Sequence, residues 1–146
     1  MTRIISGRAG GTVLDVPPKG TRPTSDRVRE SLFGALESAG VLDDARVADL
    51  FAGSGALGLE SLSRGASSAD LVELSAPAAA LIRKNAERVR AAGVVAPARV
   101  HRANVTAYLA ASADEWDLVF LDPPYDIADH DLEKALVALA PHLSPD

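Results

Sequence analysis

Residues 49–58 read Asp49-Leu-Phe-Ala-Gly-Ser-Gly-Ala-Leu-Gly58, and this stretch decides the fold of the chain. A short apolar run precedes it, and Leu57, Leu59 and Leu62 continue it with the spacing of a helix. The order strand, glycine loop, helix directs backbone N–H groups and a helix N-terminus at a ligand. We therefore expect a binding site at this loop.

Three glycines and one carboxylate limit the ligand that the loop can take. Gly53 and Gly55 permit close approaches that a Cβ forbids, and Gly58 lets the helix lie against the sheet. Their G-x-G-x-x-G spacing is by itself typical of dinucleotide binding. Asp49, however, suits a cationic or hydroxyl-bearing ligand and is unfavourable beside a pyrophosphate. S-adenosylmethionine has an ammonium group, a sulfonium and no phosphate, so we predict this cofactor; a plain glycine turn with a surface aspartate is the alternative.

A second motif, Asp122-Pro-Pro-Tyr125, ends the apolar run of residues 116–121, which is typical of a buried strand. A residue before proline is extended, and two prolines remove two N–H donors, so backbone carbonyls remain as acceptors. Asp122 and the carbonyl of Pro123 can then hold an exocyclic amino group by its hydrogens. Tyr125 offers a flat face on which a base can stack. A plain turn with a tyrosine at its rim is the alternative.

Strands and helices alternate along most of the chain. We predict strands over residues 46–51, 69–74, 98–101 and 116–121, and helices over residues 56–64, 77–92, 105–111 and 132–139. This alternation indicates an α/β fold with a mostly parallel sheet, whose ligands bind at the carboxyl ends of the strands. Four polar residues lie at or just past such ends: Asp49, Glu73, Asn104 and Asp122.

Two of these strand-end residues have a specific expected partner. Glu73 follows the second predicted strand, where a carboxylate can accept hydrogen bonds from both hydroxyls of a ribose. Asn104 follows the third, where it can either bond the edge of an adenine or cap the next helix.

The N-terminal region differs from the remainder in charge. Residues 3–7 and 11–16 are typical of a β-hairpin, followed by a proline-containing linker over residues 17–23; this arm could reach substrate or pack as a flap on the sheet. Residues 1–34 hold six basic and three acidic side chains, which gives this segment a net charge of +3. Because the whole chain has a net charge of −5, the remaining residues have a net charge of −8. The asymmetry predicts that the arm meets phosphate, with a solvated surface as the alternative.

A helix over residues 25–38 follows the linker, and its apolar residues Val28, Leu32, Phe33 and Leu36 form the stripe that we expect to face the body. Three histidines, His101, His130 and His142, lack metal-ligand spacing and are expected at the surface or rim, so we predict no metal. Trp116 is expected to pack in the core or at its rim. The chain has no cysteine and therefore no disulfide.

A third motif, Arg22-Pro-Thr-Ser-Asp-Arg-Val-Arg-Glu-Ser-Leu-Phe33, completes a combination that resembles a known family. The three motifs resemble the bacterial small-subunit (16S) ribosomal RNA guanine-N2 methyltransferases of the RsmD type, over about residues 3–139. The resemblance implies a Rossmann-like, class I methyltransferase fold, with an N-terminal hairpin and linker in residues 1–23 and the methyltransferase domain in residues 24–146. Members of the family continue with further strands, one of them antiparallel, so the C-terminal strands of the family sheet are expected to be missing here.

The resemblance also implies the reaction and the partner. It implies methyl transfer from S-adenosylmethionine to the exocyclic N2 of a guanine in small-subunit ribosomal RNA, within an assembled or partly assembled subunit. We expect a monomeric, cytoplasmic protein without membrane contact, since the sequence shows neither a membrane-spanning apolar run nor a signal-peptide pattern.

The predicted site residues combine both lines of reasoning, with Thr24 and Arg27 carried over from the family motif. They are Asp122, Pro123, Pro124 and Tyr125 for catalysis; Asp49, Phe51, Gly53, Gly55, Glu73, Asn104 and Thr24 for the cofactor; and Arg3, Arg8, Arg22 and Arg27 for RNA.

The residues alone leave other functions open. Asp122-Pro-Pro-Tyr125 also suits an adenine-N6 or cytosine-N4 methyltransferase acting on DNA or RNA, and only the resemblance selects guanine. The glycine spacing also suits an NAD-binding oxidoreductase domain, which leaves the second motif unexplained. A module that binds without catalysis is a third possibility.

Overall fold

The computed structural model describes residues 2–17, 25–123 and 127–144. A two-stranded antiparallel hairpin, β1 (Thr2–Arg3) and β2 (Val13–Leu14), precedes a four-stranded parallel sheet. The sheet consists of β3 (Arg46–Leu50), β4 (Ser68–Glu73), β5 (Ala98–Arg102) and β6 (Leu118–Leu121). The helices of the described residues are α1 (Asp26–Ser38), α2 (Ala56–Ser63), α3 (Ala76–Ala91), α4 (Val105–Ala111) and α5 (Asp129–Leu139), the last continuing into a 3-10 turn at Ala140–His142.

The strand order is β5-β4-β3-β6, with every pair parallel. The chain runs outward from β3 to β5 and then returns to place β6 on the other side of β3. The crevice beside β3 is therefore the switch point at which sheets of this kind bind ligands. Leu50 pairs with Val72 of β4 and with Leu121 of β6, so β3 and β6 end at the same level and β4 continues by one residue, Glu73. The predicted α/β fold with a mostly parallel sheet and an N-terminal hairpin is confirmed.

Side-chain alternation along β3 divides the core into two layers. Val47 belongs to the layer that packs with the hairpin and with α1, α2 and α3. Ala48 and Leu50 belong to the other layer, which packs with α4 and α5. Asp49 is on the same face as Val47, and it is therefore directed toward α2 rather than toward α5.

Several element boundaries differ from the predicted ones. Strand β6 begins at Leu118 rather than at residue 116, because Trp116 forms an isolated bridge with Leu143 instead. Helix α5 begins at Asp129 rather than at residue 132, and Asp129 and Asp131 in its first turn interact favourably with the helix dipole. The hairpin is also shorter than predicted, with two residues in each strand.

The apolar stripe predicted for α1 is wrong in part. Phe33 is buried as expected, but Val28 and Leu32 are 55% and 37% exposed. Arg29 takes the inward position instead and is fully buried. Burial of a charged side chain is expected only where partners satisfy it, and these come from the hairpin, from α2 and from Asp26 of α1 itself.

The hairpin packs on the body rather than standing clear of it. Arg8 N donates to Ser63 O at 2.8 Å, and Ala9 N donates to Ser63 Oγ at 2.8 Å. A Cβ on Gly7 would lie 2.0 Å from Ser63 O, so this contact requires glycine. Of the two alternatives that the sequence left open, the described part of the arm is therefore the flap that packs on the body. The domain boundary at residue 23 stays a prediction. None of the described helices is long and apolar enough to span a bilayer.

Candidate active site

Asp49 lies near the carboxyl end of β3 and is 1% exposed. Its Oδ2 accepts a hydrogen bond from Gly58 N at 3.0 Å. A Cβ on Gly58 would lie 2.9 Å from Leu71 Cδ2 and 3.2 Å from Asp49 Cβ, so α2 can approach β3 this closely only at a glycine. Burial raises the pKa of Asp49 to about 8, with the charges of Asp122 and Glu73 acting in the same direction and the Gly58 bond opposing them. Asp49 is therefore largely protonated near neutral pH, and a cationic ligand would favour its ionised form.

The glycine loop leaves β3 through a sharp turn. Phe51 has a φ of 60°, which costs a residue with a side chain about 1–3 kcal/mol. Gly53 and Gly55, with φ of 60° and 82°, adopt the same left-handed region without that cost. Backbone strain at a non-glycine residue such as Phe51 is typical of loops that bind a ligand, where the loop conformation serves binding at a cost in stability.

Four N–H groups of the loop and of the start of α2 already have acceptors within the protein. Two of them donate to carboxylates: Gly53 N to Glu73 Oε1 at 2.9 Å, and Gly58 N to Asp49 Oδ2 at 3.0 Å. The other two donate within the loop: Gly55 N to Ala52 O at 2.8 Å, and Ala56 N to Ser54 Oγ at 3.3 Å. A pyrophosphate would need these same donors. These four donors are therefore not available to a pyrophosphate unless the bonds within the protein are broken.

Glu73 ends β4 beside the loop. Besides the bond from Gly53, its Oε2 accepts from Ser75 N at 2.9 Å, directly before α3. An ionised carboxylate has about four acceptor positions, so capacity remains for ligand hydroxyls. Its ribose-binding role stays a prediction.

Asp122 follows the end of β6 and is exposed, and the adjoining Pro123 is partly buried. The charge of Asp122 is close enough to raise the pKa of Asp49, and so is that of Glu73. The structure therefore brings Asp49, Glu73 and Asp122 together at one end of the sheet. Pro124 and Tyr125 lie outside the described residues. In the described parts of the chain, no three His, Asp or Glu side chains cluster in a way that could hold a metal ion.

Asn104 caps α4. Its Oδ1 accepts from Ala107 N at 3.1 Å, which is the capping alternative that the sequence left open. A contact with adenine stays a prediction. Thr24 lies outside the described residues.

The arginines predicted to bind RNA are Arg3, Arg8, Arg22 and Arg27, of which Arg22 lies outside the described residues. Arg3, Arg8 and Arg27 are exposed and can reach a polyanion. Arg29, which contributes to the positive charge of the N-terminal region, is fully buried and unavailable to RNA.

Sequence reasoning missed a buried ionic cluster between the hairpin, α1 and α2. Glu60 accepts from Ile5 N at 2.8 Å, from Ser6 N at 3.1 Å and from Arg64 Nε at 2.8 Å, and its Oε1 lies 3.7 Å from Arg29 Nε. Arg29 also donates to Thr2 Oγ1 at 3.1 Å and to the carbonyl of Arg3. The i, i+4 spacing of Glu60 and Arg64 was the available signal, but nothing local indicated burial.

A second cluster surrounds Asp70 on the other face of the sheet. Asp70 accepts from Trp116 Nε1 at 3.0 Å and lies 3.0 Å from His101 Nε2. Burial and the Asp70 charge raise the pKa of Tyr108 to about 12. Trp116 is in the core, as predicted, but the surface prediction for His142 is wrong, since it is 8% exposed and bonds two backbone carbonyls.

Comparison with known proteins identifies the family of the chain. A family model described as Conserved hypothetical protein 95 matches residues 2–146. Ribosomal RNA small subunit methyltransferase D of Escherichia coli K12 is 45% identical over 124 residues, which are 84% of this chain and 60% of the relative. The protein of the same name from Haemophilus influenzae is 36% identical over 126 residues, 84% of this chain and 63% of the relative. The chain thus spans less than two thirds of the length of these relatives.

Solved structures show the same fold. The Escherichia coli protein yhhF superposes with a TM-score of 0.79 at 41% identity, covering 96% of this chain and 72% of that one. A hypothetical protein of Thermus thermophilus superposes with a TM-score of 0.84 at 33% identity, covering 99% and 81%. The chain therefore belongs to the family described as Conserved hypothetical protein 95, the RsmD family that its motifs predicted.

Proposed function

We propose that this chain binds S-adenosylmethionine at the carboxyl end of its sheet and transfers the methyl group to the exocyclic N2 of a guanine in small-subunit ribosomal RNA. The observation that supports the cofactor is the glycine loop, in which four N–H groups are already bonded to Asp49, Glu73, Ala52 and Ser54 and are therefore not available to a phosphate. The RNA substrate is supported by the names of the relatives.

The residues present fit the cofactor chemically. Asp49 can hold a cationic amino group because ionisation of a buried carboxylate is favoured by a nearby positive charge. Glu73 retains acceptor capacity for ribose hydroxyls, and Asn104 lies at the next strand end. An NAD-binding domain would require free loop amides for the pyrophosphate, and that alternative is correspondingly disfavoured.

S-adenosylmethionine, when bound, supplies an electrophilic methyl group on a sulfonium. The protein's task is to present the guanine amino nitrogen, whose lone pair is delocalised into the ring. The Asp122 carboxylate and the Pro123 carbonyl would accept its two N–H hydrogens and draw the nitrogen toward tetrahedral geometry. Asp122 is exposed and can pass the released proton to solvent. Most of the rate would come from this positioning rather than from a strong base.

The base must leave its stack to reach Asp122. Tyr125, which lies outside the described residues, is the proposed stacking surface, as predicted from the motif. Exposed Arg3, Arg8 and Arg27 would hold the surrounding phosphates, and such contacts give affinity without selecting a base.

Methyl transfer to unmodified small ribosomal subunits tests this function. The subunits are incubated with the chain and labelled S-adenosylmethionine, and the RNA is digested to nucleosides. Label in N2-methylguanosine is expected. Label in N6-methyladenosine or N4-methylcytidine would retain the site chemistry and contradict the guanine assignment, whereas no label together with measurable cofactor binding would contradict the substrate.

Asp122→Ala tests the role of the second motif. Loss of an acceptor used in the transition state should lower the transfer rate by about 100-fold or more and leave cofactor affinity within a few-fold. The matched control is Asp131→Ala, an exposed carboxylate in the first turn of α5. Equal loss of transfer and cofactor binding in the Asp122 variant would instead indicate a structural role.

A further inference from the structure

Asn85 is a fully buried amide on α3 with no role in the chemistry proposed above. Its Oδ1 accepts from Asp15 N at 2.9 Å. Its Nδ2 donates to Asp15 O at 2.9 Å and to Ser54 O at 2.9 Å. These three hydrogen bonds fix the orientation of the amide, since a flipped group would direct its oxygen at two carbonyls and its NH2 at an N–H donor.

The two partners of Asn85 belong to different parts of the molecule. Asp15 directly follows β2 of the hairpin, and Asn85 pairs with its N–H and C=O as a neighbouring strand would. Ser54 lies between Gly53 and Gly55 in the glycine loop. One buried side chain therefore joins the hairpin to the loop.

Helix α3 contacts the same two regions at further points. Ile82, one turn before Asn85, packs so closely on the loop that a Cβ on Gly55 would lie 3.0 Å from Ile82 Cγ2. At the far end of the helix, the Arg8 side chain lies along Gly93, with Cδ 3.4 Å from the position of a Cβ there. The helix thus spans the distance from the glycine loop to an exposed arginine of the hairpin.

Movement of the loop or the hairpin would strain these contacts. A shift of Ser54 relative to Asp15 must break at least one hydrogen bond to Asn85 and leave a buried polar group without a partner, which is costly. Ligands that fix either region therefore favour the same arrangement of the other. Such mutual preference is a coupling free energy and must act in both directions.

We propose that Asn85 is a positioning residue that couples RNA binding at the hairpin to cofactor binding at the glycine loop. The inference rests on the proposed function, which places the cofactor at the loop and RNA at Arg3 and Arg8. It assigns to Asn85 a role in cooperation between two ligands that it does not touch.

The test measures the affinity for S-adenosylhomocysteine, which cannot donate a methyl group, with and without saturating unmodified small ribosomal subunits. In the unchanged protein the affinity should rise at least about fivefold when the subunits are present. In Asn85→Asp, which keeps the acceptor for Asp15 N and can no longer donate to both Asp15 O and Ser54 O, this ratio should fall to about one. An unchanged ratio in a folded Asn85→Asp variant would overturn the proposal.

The control is Arg88→Gln. Arg88 also bonds Asp15, but from the exposed side: it donates to Asp15 Oδ2 at 3.0 Å and to Val13 O at 3.3 Å. The described residues show no contact of Arg88 with the glycine loop. Its coupling ratio should stay at the original value. A loss of coupling equal to that in Asn85→Asp would assign the effect to general loosening of the hairpin and contradict a specific role for Asn85.

Hydrogen exchange of the unchanged protein gives an answer even if Asn85→Asp does not fold. S-adenosylhomocysteine alone should slow exchange of the Asp15 amide several-fold, because that N–H is bonded to Asn85. Unchanged exchange at Asp15, with binding demonstrated in the same sample, would overturn the coupling. Absence of binding of either ligand would instead contradict the proposed function, so the two failures are distinguishable.

Discussion

Glu60 and Asp49 are both buried carboxylates where α2 packs against its neighbours, but Glu60 is surrounded by positive charge and Asp49 by negative charge. Glu60 accepts from two backbone N–H groups and from Arg64, with Arg29 close by. For Asp49, the described residues show one hydrogen bond, from Gly58, and no ion pair with Arg or Lys. The other charges near Asp49 are carboxylates, and they raise its pKa.

The difference separates a structural acid from a candidate ligand-binding acid. Glu60 neutralises two guanidinium groups and anchors the hairpin, so its charge is satisfied within the protein. Asp49 has no counter-charge among the described residues, so a cationic ligand would favour its ionised form. Strongly perturbed carboxylates beside other titratable groups are typical of functional sites. The variants below test whether this distinction holds, in order of the stability that each is expected to lose at neutral pH.

Glu60→Gln should have the largest effect, since it leaves Arg29 and Arg64 without their buried counter-charge. Removal of one partner from a buried ion pair costs about 3–5 kcal/mol. Urea denaturation at pH 7 measures the loss. The control Glu37→Gln removes a partly exposed partner of Arg64 and should cost at most about 1 kcal/mol. Equal losses in the two variants would mean that Glu60 is no more important than a surface acid.

Gly58→Ala should have an intermediate effect because the new methyl group would meet Leu71 and Asp49 at 2.9 and 3.2 Å. Overpacking of this kind costs roughly 1–3 kcal/mol, and it should also weaken the proposed cofactor binding by displacing the Gly58–Asp49 bond. Gly34→Ala on α1 is the control, with no atom within 4 Å of its Cβ position. That variant should be stabilised by up to about 1 kcal/mol. A neutral Gly58→Ala would contradict the close contact of α2 with β3.

Asp49→Asn should lose no stability at neutral pH, because folding at pH 7 must protonate the buried Asp49 carboxylate at a cost in free energy that an uncharged Asn does not have. Its effect lies in the pH dependence. The pKa of Asp49 is about 8 in the folded protein, above its ordinary value of 3.8. Its contribution to stability is therefore fully present below about pH 4 and is lost as the pH rises through 8.

The pH profile of the Asn variant should be flatter than that of the original protein between pH 4 and 8. Urea denaturation at a series of pH values measures this difference. Parallel profiles would contradict a raised pKa at Asp49. Calorimetry in buffers of different ionisation enthalpy should also show proton release when the cofactor binds near pH 7, and the Asn variant should lack it.

Local sequence was sufficient for the α/β alternation and for the glycine loop. Gly53, Gly55 and Gly58 stand where turn conformation and helix packing require glycine, and such requirements depend on neighbouring residues. The parallel topology followed from the same alternation. The strand-end positions of Glu73 and Asp122 were predicted correctly for this reason.

The inward face of α1 could not be predicted in the same way. Helical periodicity selected Val28 and Leu32, yet Arg29 is buried and those two residues are exposed. The partners of Arg29 include Asp26 in the first turn of α1, but Thr2 and Arg3 from the hairpin and Glu60 from α2 are distant in sequence. A hydrophobic pattern carries no information about such a partner.

By itself, the sequence determined the fold class, the carboxylates at the strand ends and the family, because each depends on short motifs and regular spacing. Only the tertiary structure decided which acids are neutralised, since Glu60 and Asp49 are equivalent as isolated carboxylates. It also revealed that Asn85 joins the hairpin to the glycine loop. The physical reason is that burial and pairing of polar groups depend on what the folded chain places beside them, and those neighbours come from distant segments.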